Sequence, residues 1–264
     1  FPAGKIYSIV LPGLSFKRGT QSWVATTGVA STLPGFDIVL RIAMCRGWGF
    51  SIERTMSAMF MSGIVEMSTK LLLATAAVLI WGLITLDLGA LGIAAIAGFV
   101  FVVVALLVRA VLSSEDTARR FGERAQSATR WVMSKFKRQA PDDLVDRILG
   151  VRLEARDVLG SRWQHAFFFA FVGQAFVFTI LLLSVRAVGL DSSVLGWSDI
   201  LLAYAITTIV TSIPITPGSV GIAELVLVGC FTAIAGREIG NTATAGVLLY
   251  RLSVWLLPII IGWV

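Results

Sequence analysis

Residues 165–188 read HAFFFAFVGQAFVFTILLLSVRAV and carry one formal charge, Arg186. About 20 apolar residues at a 1.5 Å rise cross the hydrocarbon core of a bilayer. No water is available there to satisfy the backbone, so such a run has to be a helix. Residues 71–86 extend an apolar run that begins near Met56, and residues 88–112 and 241–264 form further spans. The whole chain is 56% hydrophobic and 14% charged. A soluble domain is about 45–50% apolar and about 25% charged. The expectation is an all-α, polytopic membrane protein with one domain over residues 1–264. The chain begins at Phe1 with no basic n-region before it, so an N-terminally incomplete domain is expected and no signal peptide is read.

Two apolar regions are too broken to be simple spans. Residues 20–48 are interrupted by Pro34-Gly35, and residues 198–236 by Pro217-Gly218 within P-I-T-P-G-S-V-G-I-A-E, residues 214–224. A break at membrane depth is tolerated where it is buried in protein or lines a cavity. Thr216 is expected to cap a new helix with Pro217 at its first position. The free N–H groups of that helix would favour an anion, and Gly218 and Gly221 would let a backbone or headgroup approach closely.

The two breaks share a frame. Thr26-Thr27 precedes the first and Thr207-Thr208 the second. Arg41 follows Gly35 by six residues, as Glu224 follows Gly218. Glu66 then follows in the first copy and Arg251 in the second. Three crossings separate the copies, so the second is entered from the opposite side. The pattern reads as two re-entrant helical hairpins in an inverted repeat, with binding near the midplane. A coincidence of two Pro-Gly breakers is the alternative.

Residues 113–163 form a polar loop holding half of the chain's 22 Lys and Arg. Its basic half carries Arg119, Arg120, Arg124, Arg130, Lys135, Lys137 and Arg138, and an amphipathic helix is predicted from Pro141 onward. The positive-inside rule makes this loop cytoplasmic. It either sets topology alone or lies on anionic lipid. The stretch 187–236 contains no Lys or Arg, as expected of an outer face.

Charges within spans are costly and carry function or pair with one another. Glu66 and Lys70 are four residues apart and can pair on one helix face. Arg41 lies near Arg46 and Arg54 and can orient the chain or snorkel. Glu224 and Arg251 have no local partner. They either pair with each other or line a cavity, where Arg251 would bind a phosphate. Cys45 and Cys230 sit in apolar surroundings as small buried residues. His165 is alone, so no metal site is read. No phosphate loop, HExxH, CxxC or dinucleotide fingerprint is present, and neither enzymatic activity nor a cofactor is expected. Nucleic acid is an improbable partner for so apolar a chain, despite a net charge of +6.

The segments T-P-G-S-V-G-I-A-E (216–224), L-L-Y-R-L-S-V-W-L-L-P (248–258) and L-P-G-F-D-I-V-L-R (33–41) with G-I-V-E (63–66) resemble the flippase-like transmembrane domain of bacterial lysylphosphatidylglycerol synthases. Phe36-Asp37 stands where that family more often has a Gly-Asp or Gly-Glu pair. The resemblance implies a multi-pass protein of the inner (plasma) membrane that translocates lipids with anionic or modified headgroups. Aminoacyl-phosphatidylglycerol and polyprenyl-phosphate-linked sugars are examples. It places Pro217, Gly218, Gly221, Glu224 and Arg251 in the family motif. With Arg41, Glu66 and Thr216 these form the expected substrate-binding set. Membrane lipids are the expected partners, with self-association or a cell-envelope synthesis enzyme beside them. Two other readings compete: a non-transporting scaffold acting through 113–163, and a secondary transporter for a small solute.

Overall fold

The computed structural model describes residues 2–33, 35–117, 119, 120, 122–124, 126, 127, 162–212 and 216–262. They form helices joined by short turns and loops, with no strand among them. The chain divides into two compact units, Phe1–Gly98 with His165–Val264, and Phe99–Gln164. In the second unit, described residues between 115 and 127 are helical, and Arg119, Arg120 and Arg124 are exposed. Arg130, Lys135, Lys137, Arg138 and the amphipathic segment from Pro141 lie outside the described residues.

The first unit opens with α1 (Pro2–Val10), α2 (Phe16–Thr32) and α3 (Phe36–Gly47). Ser15 caps α2 by accepting the Arg18 N–H at 3.3 Å. A β-carbon on Gly19 would overlap the Gly4 carbonyl oxygen, so glycine at both positions is what lets α1 and α2 touch backbone to backbone. The broken run 20–48 does divide where Pro34-Gly35 stands, with Gly35 at φ 85° before α3.

Next comes α4 (Ile52–Thr85), whose 34 residues begin at Ser51, which accepts the Arg54 N–H. Such a helix is about 50 Å long, so it tilts in or projects beyond a bilayer core of about 30 Å. It ends at Leu86 in the left-handed conformation, φ 55°. Asp87 then accepts the Ala90 N–H at 3.0 Å and starts α5 (Leu88–Ser113). Gly82 faces Ala90 and Leu91 across this hairpin, where a β-carbon would sit 3.1–3.2 Å from them, a tight contact. The expected second span is thus a helix, and its described apolar stretch is Leu88–Val103.

The second half holds α6 (Trp163–Ala187), α7 (Trp197–Val210), α8 (Ile222–Ala235), α9 (Gly240–Arg251) and α10 (Leu257–Gly262). A π-turn over Leu252–Leu256 joins α9 to α10. Arg186, the one charge of α6, donates to the carbonyls of Leu190 and Leu195 at 2.6 and 2.7 Å. It thereby satisfies the loop that leads into α7. The core joins α6 to α9 through Leu181, Val185, Leu227, Phe231 and Val247, none with measurable exposure. Ala203, Ala243 and Gly246 keep the helices close enough for those larger side chains to interlock.

Three described helices are long and apolar enough to cross a membrane, over Ile52–Thr85, Trp163–Ala187 and Arg237–Ile261. The helices at the breaks are shorter. α7 and α8 have 14 residues each, about 21 Å of helix, and neither reaches across alone. The two broken pairs meet, because α2 packs on both the Pro217–Ser219 turn and α10.

Asp199 ties the start of α7 to α4. One carboxylate oxygen accepts the Trp81 indole N–H at 2.8 Å and the other accepts the Gly196 N–H at 2.8 Å. Asp199→Ala removes both bonds and leaves two donors to find water. The expected cost is about 1–3 kcal/mol, read as a lower unfolding temperature in detergent, with Asp199→Asn intermediate.

Candidate functional site

The break between α7 and α8 is tighter than the sequence suggests. Pro217–Ser219 form a single 3-10 turn. Gly218, Ser219 and Gly221 all have positive φ, at 58°, 54° and 83°. No right-handed helix accommodates these values. The helix therefore starts at Ile222, after Gly221, and no side chain caps it. Thr216 does not act as the expected N-cap. Its hydroxyl instead donates to the Val220 carbonyl at 3.0 Å, and its own carbonyl accepts the Ser219 N–H at 3.0 Å. The hydroxyl closes the turn rather than opening a helix.

Glu224 lies in the first turn of α8, where the helix dipole favours a carboxylate. Arg251 reaches it from the last turn of α9. Arg251 Nε donates to Glu224 Oε1 at 2.6 Å, and Nη2 donates to the Gly218 carbonyl at 2.7 Å. The side chains of Arg251 and Glu224 are 12% and 24% exposed. One guanidinium thus neutralises the carboxylate and satisfies a carbonyl that the break has freed. The guanidinium carbon lies 5.2 Å from the Trp255 ring centroid. Trp255 sits within the π-turn, and a β-carbon on Gly218 would fall inside its indole. Gly218 is thus required twice, by its φ and by Trp255. Glu224 Oε2 and Trp255 Nε1 are buried without a partner.

Beside this pair is a cavity of about 110 Å³. Tyr204, Thr207, Thr208 and Thr211 line it from α7, and Tyr250 and Arg251 from α9. The threonine protons are spent within α7: Thr207, Thr208 and Thr211 donate to the carbonyls of Ala203, Tyr204 and Thr207 at 2.7–2.8 Å. Tyr204 donates to Gln174 Oε1 of α6 at 2.5 Å. The hydroxyl oxygens keep lone pairs for a visitor, and Arg251 contributes positive charge.

The structure brings Gly218, Glu224 and Arg251 together, with Thr216, Pro217 and Gly221 forming the turn around them. It does not bring Arg41 or Glu66 into that group. Glu66 pairs with Lys70 at 3.0 Å along α4 and is 57% exposed. Arg41, on α3, donates from Nη2 to Thr26 Oγ1 and lies 4.0 Å over the Tyr7 ring. The common frame of the two breaks therefore closes an Arg–Glu pair in the second copy and none in the first, among the described residues. Sequence reasoning missed Tyr204, Thr211, Tyr250 and Trp255. The signal for α7 was present: positions 204, 207, 208 and 211 fall on one face of a helix that is otherwise apolar.

Apolar helices of membrane-spanning length, with a polar cavity beside a partly buried ion pair at a helix break, define a polytopic membrane protein. Within that class the chain belongs to the lysylphosphatidylglycerol synthase TM region family, which it matches over residues 12–262. That family is a transmembrane region associated with membrane-lipid handling, and the chain is membrane-embedded. No curated protein and no solved structure matches it.

Two substitutions test this geometry. Gly218→Ala forces a β-carbon into Trp255 and strains φ, and should cost about 1–3 kcal/mol. Trp255→Ala in the same chain should recover part of that cost, as seen in unfolding temperatures. Glu224→Ala alone leaves Arg251 without its carboxylate. It should lower the unfolding temperature more than the double change Glu224→Leu with Arg251→Leu, because an apolar pair carries no stranded charge.

Proposed function

We propose that the protein moves a lipid with an anionic or modified headgroup across the membrane. The headgroup passes through the cavity beside Arg251 while the acyl chains stay in the bilayer. The observation that carries this reading is the hydroxyl-lined, Arg251-bearing cavity placed at a helix break in a membrane-embedded chain. Its 110 Å³ is a few times the ~30 Å³ share of one liquid water. That is room for a phosphate group, and a larger headgroup would be admitted by widening of the break. The glycines at 218 and 221 and the π-turn at 252–256 are where it can give.

The two pairs of short helices, α2 with α3 and α7 with α8, act as re-entrant hairpins of an inverted repeat opening to opposite faces. Residues 113–163 lie on the cytoplasmic side of the inner membrane, where their basic residues hold anionic lipid. Aminoacyl-phosphatidylglycerol and polyprenyl-phosphate-linked sugars have the required chemistry. No bond is made or broken, so the protein is a translocator and not an enzyme. The protein partners of this reading are a second copy of the chain or a cell-envelope synthesis enzyme, the latter supplying or removing the cargo.

The test is reconstitution in vesicles carrying a headgroup-labelled fluorescent phosphatidylglycerol, with dithionite quenching of the outer leaflet. The wild-type protein should accelerate loss of the protected fraction. Glu224→Gln with Arg251→Gln, which stays neutral as a pair, should slow it by roughly tenfold or more, since it removes a charge-assisted contact. Wild-type rates in that folded double variant would overturn the reading.

A further inference from the structure

The first half of the chain contains a guanidinium with two buried donors that no acceptor meets. Arg41 is 7% exposed. Nη2 donates to Thr26 Oγ1, and the Tyr7 ring lies against the charge. Nε and Nη1 are buried and have no acceptor. Among the described residues no carboxylate forms an ion pair with Arg41. Glu66 on α4 attracts Arg41 across space but makes its direct ion pair with Lys70. One turn before Thr26 on the same face of α2, the Ser22 hydroxyl is also buried without a partner. Arg251 makes the contrast plain, because it has both a carboxylate and a carbonyl.

A guanidinium does not lose its proton in a protein. A cation–π contact and one hydroxyl replace only part of its hydration, and an uncompensated buried charge is strongly unfavourable. The unanswered groups are all donors. α3 is flanked on both sides by left-handed glycines. Gly35 and Gly49 bracket it at φ 85° and 90°, and nothing lies within 4 Å of where their β-carbons would stand. Its other face, at Phe36, Ile38 and Val39, is exposed and apolar.

We infer that Arg41, with Ser22, forms a second anion site that takes a phosphate oxyanion, separate from the Arg251 cavity. The oxyanion accepts from Arg41 Nε and Nη1 and from the Ser22 hydroxyl when α3 swings on its glycines. Tyr7 and Thr26 hold the guanidinium in place. The occupant is either a phospholipid headgroup or free phosphate, since both present the same oxygens. The site does not depend on the translocation reading, because nothing in it requires the second cavity to pass a lipid.

The experiment uses the whole chain in maltoside micelles, which contain no phosphate. Unfolding is followed by tryptophan fluorescence against dihexanoyl-phosphatidylglycerol, and separately against inorganic phosphate at matched ionic strength. Wild type and Arg251→Gln should both gain unfolding temperature with added anion. Arg41→Gln should weaken the apparent affinity by roughly tenfold or more, the loss of charge-assisted bonds, and Ser22→Ala by a smaller factor. If Arg41→Gln does not fold, Ser22→Ala and Arg41→Lys decide, since both keep a positive charge in the site. Stabilisation by phosphate alone identifies a free oxyanion as occupant, and stabilisation by the lipid only identifies a headgroup. No anion effect in wild type, or equal affinity in wild type, Arg41→Gln and Ser22→Ala, overturns the inference. Vesicle translocation by the same variants separates the two readings. Anion binding that depends on Arg41 in a chain without translocation would remove only the earlier one.

Discussion

The contact between Arg251 and Glu224 is the one on which the second half of the structure depends. The break after α7 strands a carbonyl at Gly218 and places a carboxylate at Glu224 in apolar surroundings. Arg251 answers both with two hydrogen bonds. It comes from a different helix, 27 residues further along the chain, so the same contact ties α9 to the turn. Without it the Gly218 carbonyl would need another donor, such as water. The pair is not fully buried, which lowers its desolvation cost and leaves Arg251 in contact with the cavity.

The left-handed residues of the turn set where that cavity lies. Gly218, Ser219 and Gly221 hold the chain out of helical conformation until Ile222. The open space left between the end of α7 and the start of α8 is bordered by Thr211 on one side and Ala223 on the other. Small residues at the neighbouring contacts, Ala203 and Gly246 among them, keep α6, α7 and α9 packed around it. The core that fixes the site is therefore built from short side chains and interlocked leucines, as expected where lipid offers no hydrophobic drive for helix association.

Much of this was legible in the sequence, because the bilayer imposes a simple rule. Apolar runs near 20 residues must be helices, and Pro-Gly within such a run must be a break. The extended run from Met56 and the breaks at Pro34-Gly35 and Pro217-Gly218 follow from that rule alone. Glu224 and Arg251 were legible as unpartnered charges in apolar sequence, and their pairing was one of two readings the sequence allowed. Two things were not legible. Thr216 followed by proline has the form of an N-cap, and only the backbone angles of Gly218 and Ser219 show that the helix cannot start there. α1 has 9 residues and no span-length apolar signal, so the role of Tyr7 beside Arg41 could not be read from hydropathy.

The two breaks also differ in a way that their common spacing hides. In the second copy the acid and base are carried by α8 and α9, which face each other across the turn. Around the first break Glu66 sits one turn before Lys70 on α4 and pairs with it directly, so Arg41 makes its close contacts with an aromatic ring and a hydroxyl and meets Glu66 only across space. An i,i+4 partner costs almost no loop entropy to engage, whereas Arg41 would have to hold α3 against α4 to compete for the same carboxylate. Lys70 thus holds the carboxylate that the shared spacing would have matched with Arg41. One half carries a neutralised pair beside an open cavity, and the other a charged group enclosed by α1, α2 and α3.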